Sequence, residues 1–245
     1  MTADAGRVAF VTGGSGGIGG AVVEALAAAG HRVAVGYGTN REAAEKTAAG
    51  VGGVAVQVDV TDPASVDAAF KEVEDSLGPV EVLVNNAGVT ADGLVMRMSG
   101  DQWRKVLSTN LDGAFHVTKR AVPGMVRRRW GRIVNMGSVV GSTGNAGQAN
   151  YATTKAGLIG LTRSLARELG SRNVTVNLVA PGPIATAMID AMTDEQRANM
   201  TSAVPLGRMG TPAEVGAVVA FLCSPAAGYV TGAVVPVDGG MGMGH

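Results

Sequence analysis

Short runs of β-branched and other apolar residues recur along the chain and alternate with longer segments of mixed polarity. Most of these runs are apolar at successive positions rather than at every second one, which is typical of strands covered on both faces of a parallel sheet. Helices must then lie between the strands. The pattern predicts seven strands, at 7–13, 32–37, 54–60, 80–88, 132–138, 174–182 and 233–240.

The segments between the predicted strands have the periodicity and the end signals of helices. In 18–29 the apolar residues fall on one helical face, and Gly30 provides a stop. Asp62 before Pro63 is typical of an N-cap with proline at the first helical position, and Thr211 opens a capping box. These signals predict helices on both sides of the sheet.

Strand and helix alternate from end to end, with no linker rich in proline or charge and no internal repeat. This alternation predicts one domain over 1–245: a Rossmann-type, doubly wound, seven-stranded parallel α/β sheet with helices on both faces. In such sheets ligands bind beyond the carboxyl ends of the strands. The functional residues are therefore expected just after the predicted strands.

Composition and charge narrow the class of protein. Apolar residues make up 46% of the chain and charged residues 16%, which excludes a disordered chain. Twenty basic and twenty acidic side chains cancel, so no overall field draws the protein to nucleic acid or to an anionic membrane. The one cysteine, Cys223, excludes an intrachain disulfide, and the three scattered histidines lack metal-binding spacing. No metal site is expected.

The chain carries no sign of membrane insertion or export. No stretch reaches the roughly 18 apolar residues that are needed to span a bilayer. The first residues, MTADAGRVAFVTGG, lack the basic segment followed by an apolar run that marks a secretory signal. A cytoplasmic location is therefore expected.

The stretch VTGGSGGIGG, residues 11–20, follows the first predicted strand and opens the first predicted helix. Glycines there allow positive φ and let a ligand approach the backbone, and free N–H groups at the helix start attract a pyrophosphate. On its own the stretch could also be a plain glycine-rich turn. Two nucleotide-binding spacings fit: G-x-G-x-x-G on Gly14, Gly16 and Gly19, and T-G-x-x-x-G-x-G on Thr12, Gly13, Gly17 and Gly19.

Three further motifs favour the second spacing: NNAG at 85–88, GSVVG at 137–141 and YATTK at 151–155. With the glycine loop, and over nearly the whole chain, they resemble the short-chain dehydrogenase/reductase family. Within it, GNAGQANYATTKAGLIG and the ending VDGGMGMGH are similar to the bacterial reductases that act on 3-oxoacyl groups of acyl carrier protein in fatty-acid synthesis. The resemblance implies reduction of a 3-oxoacyl thioester by a nicotinamide cofactor.

The residues after the second strand favour NADPH over NADH. An NAD-preferring site has a carboxylate there for the adenosine ribose, but here the strand ends at Tyr37, and Asn40 and Arg41 follow. A guanidinium suits a 2′-phosphate, which a carboxylate would repel. Many NADP-using relatives carry a basic residue in the glycine loop, at the place that Gly16 holds here. Because Gly16 has no charge, Arg41 is the one obvious candidate cation for the phosphate. Arg41 could instead be a solvated residue that opens a helix.

The resemblance implies further cofactor contacts after the later strands. Asp59 is expected at the adenine amino group, although it could equally be a turn-forming aspartate. The Ile184 backbone and the Thr186 hydroxyl are expected to hold the nicotinamide carboxamide. The candidate cofactor-binding residues are Gly13, Ser15, Gly16, Gly17, Ile18, Gly19, Tyr37, Asn40, Arg41, Asp59, Val60, Asn86, Ala87, Gly88, Tyr151, Lys155, Pro181, Gly182, Ile184 and Thr186.

Tyr151 and Lys155 are four residues apart, so on a helix they share one face. A reductase needs an acid that protonates the carbonyl oxygen, and a free phenol with a pKa near 10 gives up its proton reluctantly. Moving that pKa to about 7 requires roughly 4 kcal/mol, and one unit charge about 5 Å away supplies around 3 kcal/mol. Lys155 is therefore expected to lower the pKa of Tyr151.

The resemblance adds two more catalytic residues and a partner surface. The Ser138 hydroxyl would donate to the same substrate oxygen, and Asn110 would hold a water that leads to Lys155. Arg129 and Arg172 match positions that receive the acidic acyl carrier protein, although a solvated helix end would have the same pattern. The resemblance also implies a homotetramer, and a helix over 187–200 that covers the substrate.

The sequence leaves other functions open. A hydride-transfer core does not choose the acyl group, so an acetoacetyl-CoA reductase or a reductase of other small ketones fits the same motifs. A non-catalytic NADP-binding sensor on the same fold is a candidate of a different class. The intact set of Ser138, Tyr151 and Lys155 argues against the sensor.

Overall fold

A computed structural model describes residues 6–186, 195 and 200–243. All seven predicted strands are present, and several end earlier than predicted: an apolar pattern continues past β3, and motif residues that follow β4, β5 and β7 lie in the loops. The strands are Val8–Thr12 (β1), Arg32–Tyr37 (β2), Val54–Gln57 (β3), Val80–Asn85 (β4), Gly131–Met136 (β5), Val174–Pro181 (β6) and Val234–Val237 (β7).

Helices separate the strands, as the alternating pattern predicts. They are Gly17–Ala28 (α1), Arg41–Gly50 (α2), Pro63–Leu77 (α3), Gly100–Leu107 (α4), Gly113–Arg128 (α5), Val140–Thr143 (α6), Ala149–Leu169 (α7) and Pro212–Cys223 (α8). A π turn, Ser108–Asp112, joins α4 to α5. In these ranges no helix is long and apolar enough to cross a membrane. The expected helix over 187–200 lies outside the described residues, apart from 195 and 200.

The two predicted helix starts, at Asp62 and at Thr211, are confirmed. The Asp62 carboxylate accepts from the backbone N–H groups of Ala64 and Ser65, and proline follows it at the first helical position. Thr211 and Glu214 form a reciprocal capping box at the start of α8. Both signals therefore serve the fold rather than the site.

The strands form one parallel sheet in the order β3-β2-β1-β4-β5-β6-β7. The chain winds outward from β1 to β3, then returns beside β1 and winds outward to β7. This order confirms the doubly wound sheet. Because all the carboxyl ends meet at one edge, the loops after β1, β4, β5 and β6 come together there.

Alternate residues of each strand face two separate cores. In β1, Ala9 and Val11 pack with α1 and α8, whereas Val8 and Phe10 pack with α3 and α5. Every residue of β1 is buried, which explains the uninterrupted apolar runs in the sequence. The sheet is thus held rigidly from both faces.

Cys223 lies in the core formed with α1 and α8. Burial there raises the pKa of its thiol to about 12. Across the described part of the chain, no three His, Cys, Asp or Glu side chains come together in a way that could hold a metal ion. The thiol is therefore a packing group in this fold.

Candidate active site

Close backbone contacts shape the loop between β1 and α1. A Cβ on Gly19 would clash with the Gly13 carbonyl oxygen and lie 2.6 Å from Asn86 Nδ2. Gly13 and Gly17 have left-handed φ angles of 64° and 56°. A Cβ on Gly16 would meet nothing within 4 Å. The fold therefore requires the glycines of the T-G-x-x-x-G-x-G spacing, whereas Gly16 is not held by such a contact.

Asn86 braces this glycine loop. Its Nδ2 donates to the carbonyl oxygens of Thr12 at 3.2 Å and Gly13 at 2.8 Å. The Thr12 hydroxyl accepts from the backbone N–H groups of Asn86 and Ala87, both at 3.1 Å. The loops after β1 and β4 are thereby fixed to each other at the edge of the sheet.

A cleft of about 900 Å³ opens beside the glycine loop. It continues into a pocket of about 260 Å³, because Gly88 and Val89 line both. Loops that follow separate strands therefore line one continuous path for a ligand, which is the ligand path. Predicted cofactor residues in the cleft are Gly13, Ser15, Asn40, Asp59, Val60, Ala87 and Gly88, and those in the pocket are Ile18, Asn86, Gly88, Tyr151, Lys155 and Pro181.

Asn40 and Arg41 begin α2 beside the cleft. Asn40 Oδ1 accepts from the backbone N–H of Ala43 at 3.1 Å and caps the helix. Arg41 Nε donates to the Glu45 carboxylate at 2.7 Å, and the Arg41 side chain is 75% exposed. Arg41 is thus solvated and opens a helix in this structure, and its contact with a 2′-phosphate stays a prediction. The Tyr37 side chain packs in the core.

Asp59 forms a turn at the cleft. Its Oδ1 accepts from the Thr61 backbone N–H at 2.9 Å and from the Thr61 hydroxyl at 2.7 Å. These hydrogen bonds hold the pKa of the Asp59 carboxyl below its usual value. Asp59 is therefore a turn-forming aspartate whose carboxylate also lines the cleft.

Lys155 lies inside the protein on α7, next to Tyr151. Its Nζ donates to the Met136 carbonyl oxygen at 2.7 Å and lies 5.3 Å from the centroid of the Tyr151 ring. The residue is only 5% exposed, and burial lowers the pKa of its ammonium group from 10.5 to about 8. The ammonium is still mainly charged at pH 7, beside the phenol that the shared helical face predicts.

Tyr151 lines the pocket and forms a hydrogen bond with Ser138. Burial of the ring raises the pKa of the phenol, the hydrogen bond with Ser138 lowers it by less, and the Asp92 carboxylate adds to the rise. The net direction is upward, opposite to the one expected from the sequence, because burial outweighs the favourable neighbours. The phenol is therefore protonated at neutral pH, which is the form that can donate a proton.

Asn110 lies in the π turn between α4 and α5, where it is buried. Its Oδ1 accepts from the Val89 backbone N–H at 2.8 Å, and its Nδ2 donates to the Val89 carbonyl oxygen at 2.9 Å. Nδ2 also donates to the Thr154 hydroxyl at 3.5 Å, one residue before Lys155. Such turns often occur at functional sites. The Asn110 side chain holds the wall of the pocket, and its role in a water relay stays a prediction.

The segment after β6 returns to the glycine loop. Gly182 packs against Asp238, where a Cβ would lie 2.7 Å from the Asp238 Cα. Ile184 is buried and pairs with Gly210 in a parallel bridge. Thr186 Cγ2 lies 3.8 Å from the position of a Cβ on Gly17. The predicted nicotinamide residues therefore lie at the same edge as the glycine loop.

Arg129 and Arg172 are brought together, but at the other edge of the sheet. Arg129 ends α5 with a left-handed φ of 54°, and its Nη2 donates to the Ser171 carbonyl oxygen at 3.2 Å. Arg172 directly follows Ser171 in the chain, and both Arg129 and Arg172 are exposed. They precede β5 and β6, whereas Ser138 follows β5. The two arginines are thus not part of the cluster around Tyr151.

Some residues of the site are not among those that the sequence predicts. Thr90, Met136 and Gly137 line the small pocket. Asn150 is fully buried next to Tyr151. A polar residue directly before the predicted proton donor is a usable signal, but its contacts depend on loops that are remote in sequence.

Known proteins are similar in sequence to this chain over nearly its full length. The sequence model of a family described as "Enoyl-(Acyl carrier protein) reductase" matches residues 13–242. The chain is 50% identical over 240 residues to the 3-oxoacyl-[acyl-carrier-protein] reductase FabG of Vibrio cholerae, covering 97% of this chain and 98% of the relative.

Two further relatives carry the same name. The 3-oxoacyl-[acyl-carrier-protein] reductase FabG of Escherichia coli is 47% identical over 240 residues, covering 97% of this chain and 98% of the relative. The 3-oxoacyl-[acyl-carrier-protein] reductase MabA of Mycobacterium tuberculosis is 52% identical over 239 residues, covering 98% and 94%. The likeness therefore extends across both the glycine loop and the cluster around Tyr151.

Proposed function

The chain belongs to the short-chain dehydrogenase/reductase family of oxidoreductases, and from that premise we propose that it uses NADPH to reduce the 3-oxo group of an acyl thioester on acyl carrier protein. The product is the 3-hydroxyacyl thioester of fatty-acid synthesis. One observation carries the proposal: Tyr151, which is hydrogen-bonded to Ser138, and the Lys155 ammonium beside it line a pocket that continues into the cleft beside the glycine loop. The relatives' shared name supports the choice of substrate.

The cleft fits a dinucleotide. The close contacts at Gly13 and Gly19 leave backbone N–H groups, rather than side chains, at the start of α1, where a pyrophosphate binds favourably. Asp59 and Gly88 would hold the adenosine half, and Ile184 and Thr186 the nicotinamide carboxamide. When bound, NADPH supplies a hydride to the carbonyl carbon.

A preference for NADPH over NADH is supported by the start of α2. The segment YGTNR, residues 37–41, contains no carboxylate that would repel a 2′-phosphate. Asn40 lines the cleft, and Arg41 begins the helix beside it. A phosphate there would compete with Glu45 for the Arg41 guanidinium.

Ser138 and Tyr151 are placed to bind one carbonyl oxygen between their hydroxyls. As that oxygen gains negative charge, Tyr151 transfers its phenol proton to it and becomes a phenolate. The buried ammonium of Lys155 stabilises the phenolate electrostatically, more effectively than it would in water. Asn110 holds Val89 and so keeps the opposite wall of the pocket in place.

A second candidate reaction is reduction of the carbon–carbon double bond of an enoyl thioester, because the description of the matching family names it. The same cleft would also serve an acetoacetyl-CoA reductase, a reductase of other small ketones or a non-catalytic NADP-binding sensor. Because each of these functions uses a cofactor bound in the cleft, only turnover separates them.

Initial rates of NADPH oxidation decide among these functions. The substrates are 3-oxobutyryl and 2-butenoyl thioesters, each on acyl carrier protein and on CoA, with longer 3-oxoacyl chains added. We expect the carrier-bound 3-oxobutyryl group to give the highest kcat/KM. A higher value for the 2-butenoyl group would favour enoyl reduction, and a higher value for CoA would favour the acetoacetyl-CoA reductase. NADPH binding without any turnover would indicate the sensor.

We also propose that the protein is a cytoplasmic homotetramer, as the family resemblance implies.

We propose further that acyl carrier protein contacts Arg129 and Arg172. The two exposed arginines offer positive charge to an acidic partner within a chain of zero net charge. Charge reversal at both positions should raise KM for the carrier-bound substrate and leave KM for the CoA thioester unchanged. An equal effect on both substrates would contradict this role.

A further inference from the structure

Asn150 directly precedes Tyr151, and its side chain is fully buried in the first turn of α7. Its Oδ1 accepts from the Tyr151 backbone N–H at 2.7 Å. Its Nδ2 donates to the carbonyl oxygen of Ala91 at 2.9 Å and to that of Gln102 at 3.5 Å. One amide therefore joins α7 to the loop after β4 and to α4.

Two more hydrogen bonds connect the same loop to the residues before α7. Gln148 Nε2 donates to the Asp92 carboxylate at 2.8 Å, and the Gly93 backbone N–H donates to the Gly147 carbonyl oxygen at 2.7 Å. The loop that they hold includes Val89, which lines the pocket. These bonds fix the wall of the pocket relative to the start of α7.

The choice of asparagine at this position has a chemical meaning. A residue that only accepted from the Tyr151 backbone N–H would need an oxygen, and aspartate provides one as well as asparagine does. The N–H donors of Asn150 are not needed for that bond, and both acceptors that they reach belong to other segments. The side chain is therefore a tether between α7 and those segments.

We infer that Asn150 is a positioning residue, whose amide fixes Tyr151 against the wall of the pocket at Val89 to Ala91. The inference rests on the proposed function, since it takes Tyr151 as the proton donor. Displacement of a reacting group by about 1 Å can reduce the rate about 10²-fold. Loss of the tether is thus expected to appear in kcat.

Asn177 on β6 provides a matched control. It is equally buried, its Nδ2 donates to the Val230 carbonyl oxygen at 2.8 Å, and its Oδ1 accepts from the Ala233 backbone N–H at 3.1 Å. The same two kinds of bond thus join β6 to the segment before β7, outside the two linings of the site. Substitution there measures the loss of a buried amide without displacement of Tyr151.

The experiment compares Asn150→Ala and Asn150→Asp with Asn177→Ala and Asn177→Asp. The measurements are kcat and KM for a 3-oxobutyryl thioester, Kd of NADPH by fluorescence titration, and Tm. Both Asn150 variants should lose kcat about 10²-fold, with a smaller change in KM. Kd of NADPH should stay within about twofold, because the bonds from Asn86 that fix the glycine loop remain in these variants. The Asn177 variants should lower Tm similarly and keep kcat.

Two results would overturn the inference. Wild-type kcat in Asn150→Asp would mean that the bond to the Tyr151 N–H alone suffices, and equal kcat in Asn150→Ala and Asn177→Ala would mean that the role is purely structural. Should the Asn150 variants not fold, Gln148→Ala decides, because it removes the bond to Asp92 together with the bond from Asn145, and Asn145→Ala, which removes only the latter, is its control. A kcat that is lower in Gln148→Ala than in Asn145→Ala, at unchanged Tm, supports the tether, and an unchanged kcat rejects it. A wild-type protein that reduces no 3-oxoacyl thioester would contradict the proposed function instead.

Discussion

The two ends of the ligand path are built differently. Around the glycine loop, the candidate contacts are backbone groups and exposed side chains, such as Arg41 in its surface ion pair with Glu45. Around Tyr151, the side chains are buried and tied to the backbone, as with Lys155 on Met136 and Asn110 on Val89. A ligand held by many contacts tolerates adjustable side chains, whereas proton transfer requires fixed ones.

The energetics of the two ends differ in the same sense. An exposed ion pair such as Arg41 with Glu45 contributes about 0–1 kcal/mol to stability, so it can open for a ligand. A buried ammonium such as Lys155, whose pKa burial lowers, is unfavourable for folding. The buried charge of Lys155 therefore does not stabilise the fold, and the proposed chemistry is what explains its presence.

The largest effect is expected from removal of the proton donor. Tyr151→Phe should lower kcat about 10³-fold, since general acid catalysis contributes on the order of 10²–10⁴-fold. The Kd of NADPH should change little, because the other contacts of the cleft remain. Steady-state kinetics and fluorescence titration measure both quantities, with Tyr229→Phe at a fully exposed position as the control. Full activity in Tyr151→Phe would contradict Tyr151 as the proton donor, and with it the contrast between the two ends of the ligand path.

The glycine loop should respond through binding instead of rate. Gly19→Ala places a Cβ against the Gly13 carbonyl oxygen, and such overpacking has a cost of about 1–3 kcal/mol, which corresponds to about fivefold to 150-fold in Kd of NADPH if the loop must hold that strain to bind. Gly16→Ala, whose Cβ meets nothing within 4 Å, is the comparison within the same loop and should lose less affinity for NADPH. Equal losses in the two variants would contradict the assignment of the spacing.

The pH dependence tests the buried ammonium. Because the pKa of Lys155 is about 8, kcat for reduction should be constant below that pH and fall about tenfold per pH unit above it. The neutral lysine is favoured by the fold, so this group's contribution to the free energy of unfolding rises between about pH 8 and 10.5. The fall in kcat is therefore not caused by unfolding through Lys155. Rates from pH 6 to 10, with Tm at each pH, check both, and a flat profile would exclude the role of the charge.

The smallest effect is expected at the surface of the cofactor end. Arg41→Ala should raise KM for NADPH about threefold to tenfold and leave KM for NADH unchanged, since only NADPH carries the 2′-phosphate. Glu45→Gln should act in the opposite direction, because it frees the Arg41 guanidinium. Steady-state kinetics with both coenzymes measure this. An equal change for both would place Arg41 outside the phosphate site.

The strands and the edge that carries the site follow from the sequence for a clear reason. Buried parallel strands leave uninterrupted apolar runs, and the motif residues come directly after those runs. The strand ends do not follow from the apolar pattern alone, because apolar residues such as Val58 and Val60 continue past β3 into the loop. Local pattern does not record where hydrogen bonding to the next strand stops.

The finer properties of the site depend on contacts between remote segments. The direction of the Tyr151 pKa follows from burial, which spacing on one helix does not reveal. The bonds from Asn150 reach Ala91 and Gln102 through the packing of α7 against two other segments. The π turn at Asn110 likewise departs from the helix that the residue pattern predicts.

The buried thiol of Cys223 makes the protein convenient for site-specific labelling. Reagents that attack thiolates react poorly with a group whose pKa is about 12 and which solvent does not reach. The native cysteine can therefore stay in place. A cysteine introduced at Met96, which is 82% exposed on the loop after β4, would carry the fluorophore and report on movements of that loop.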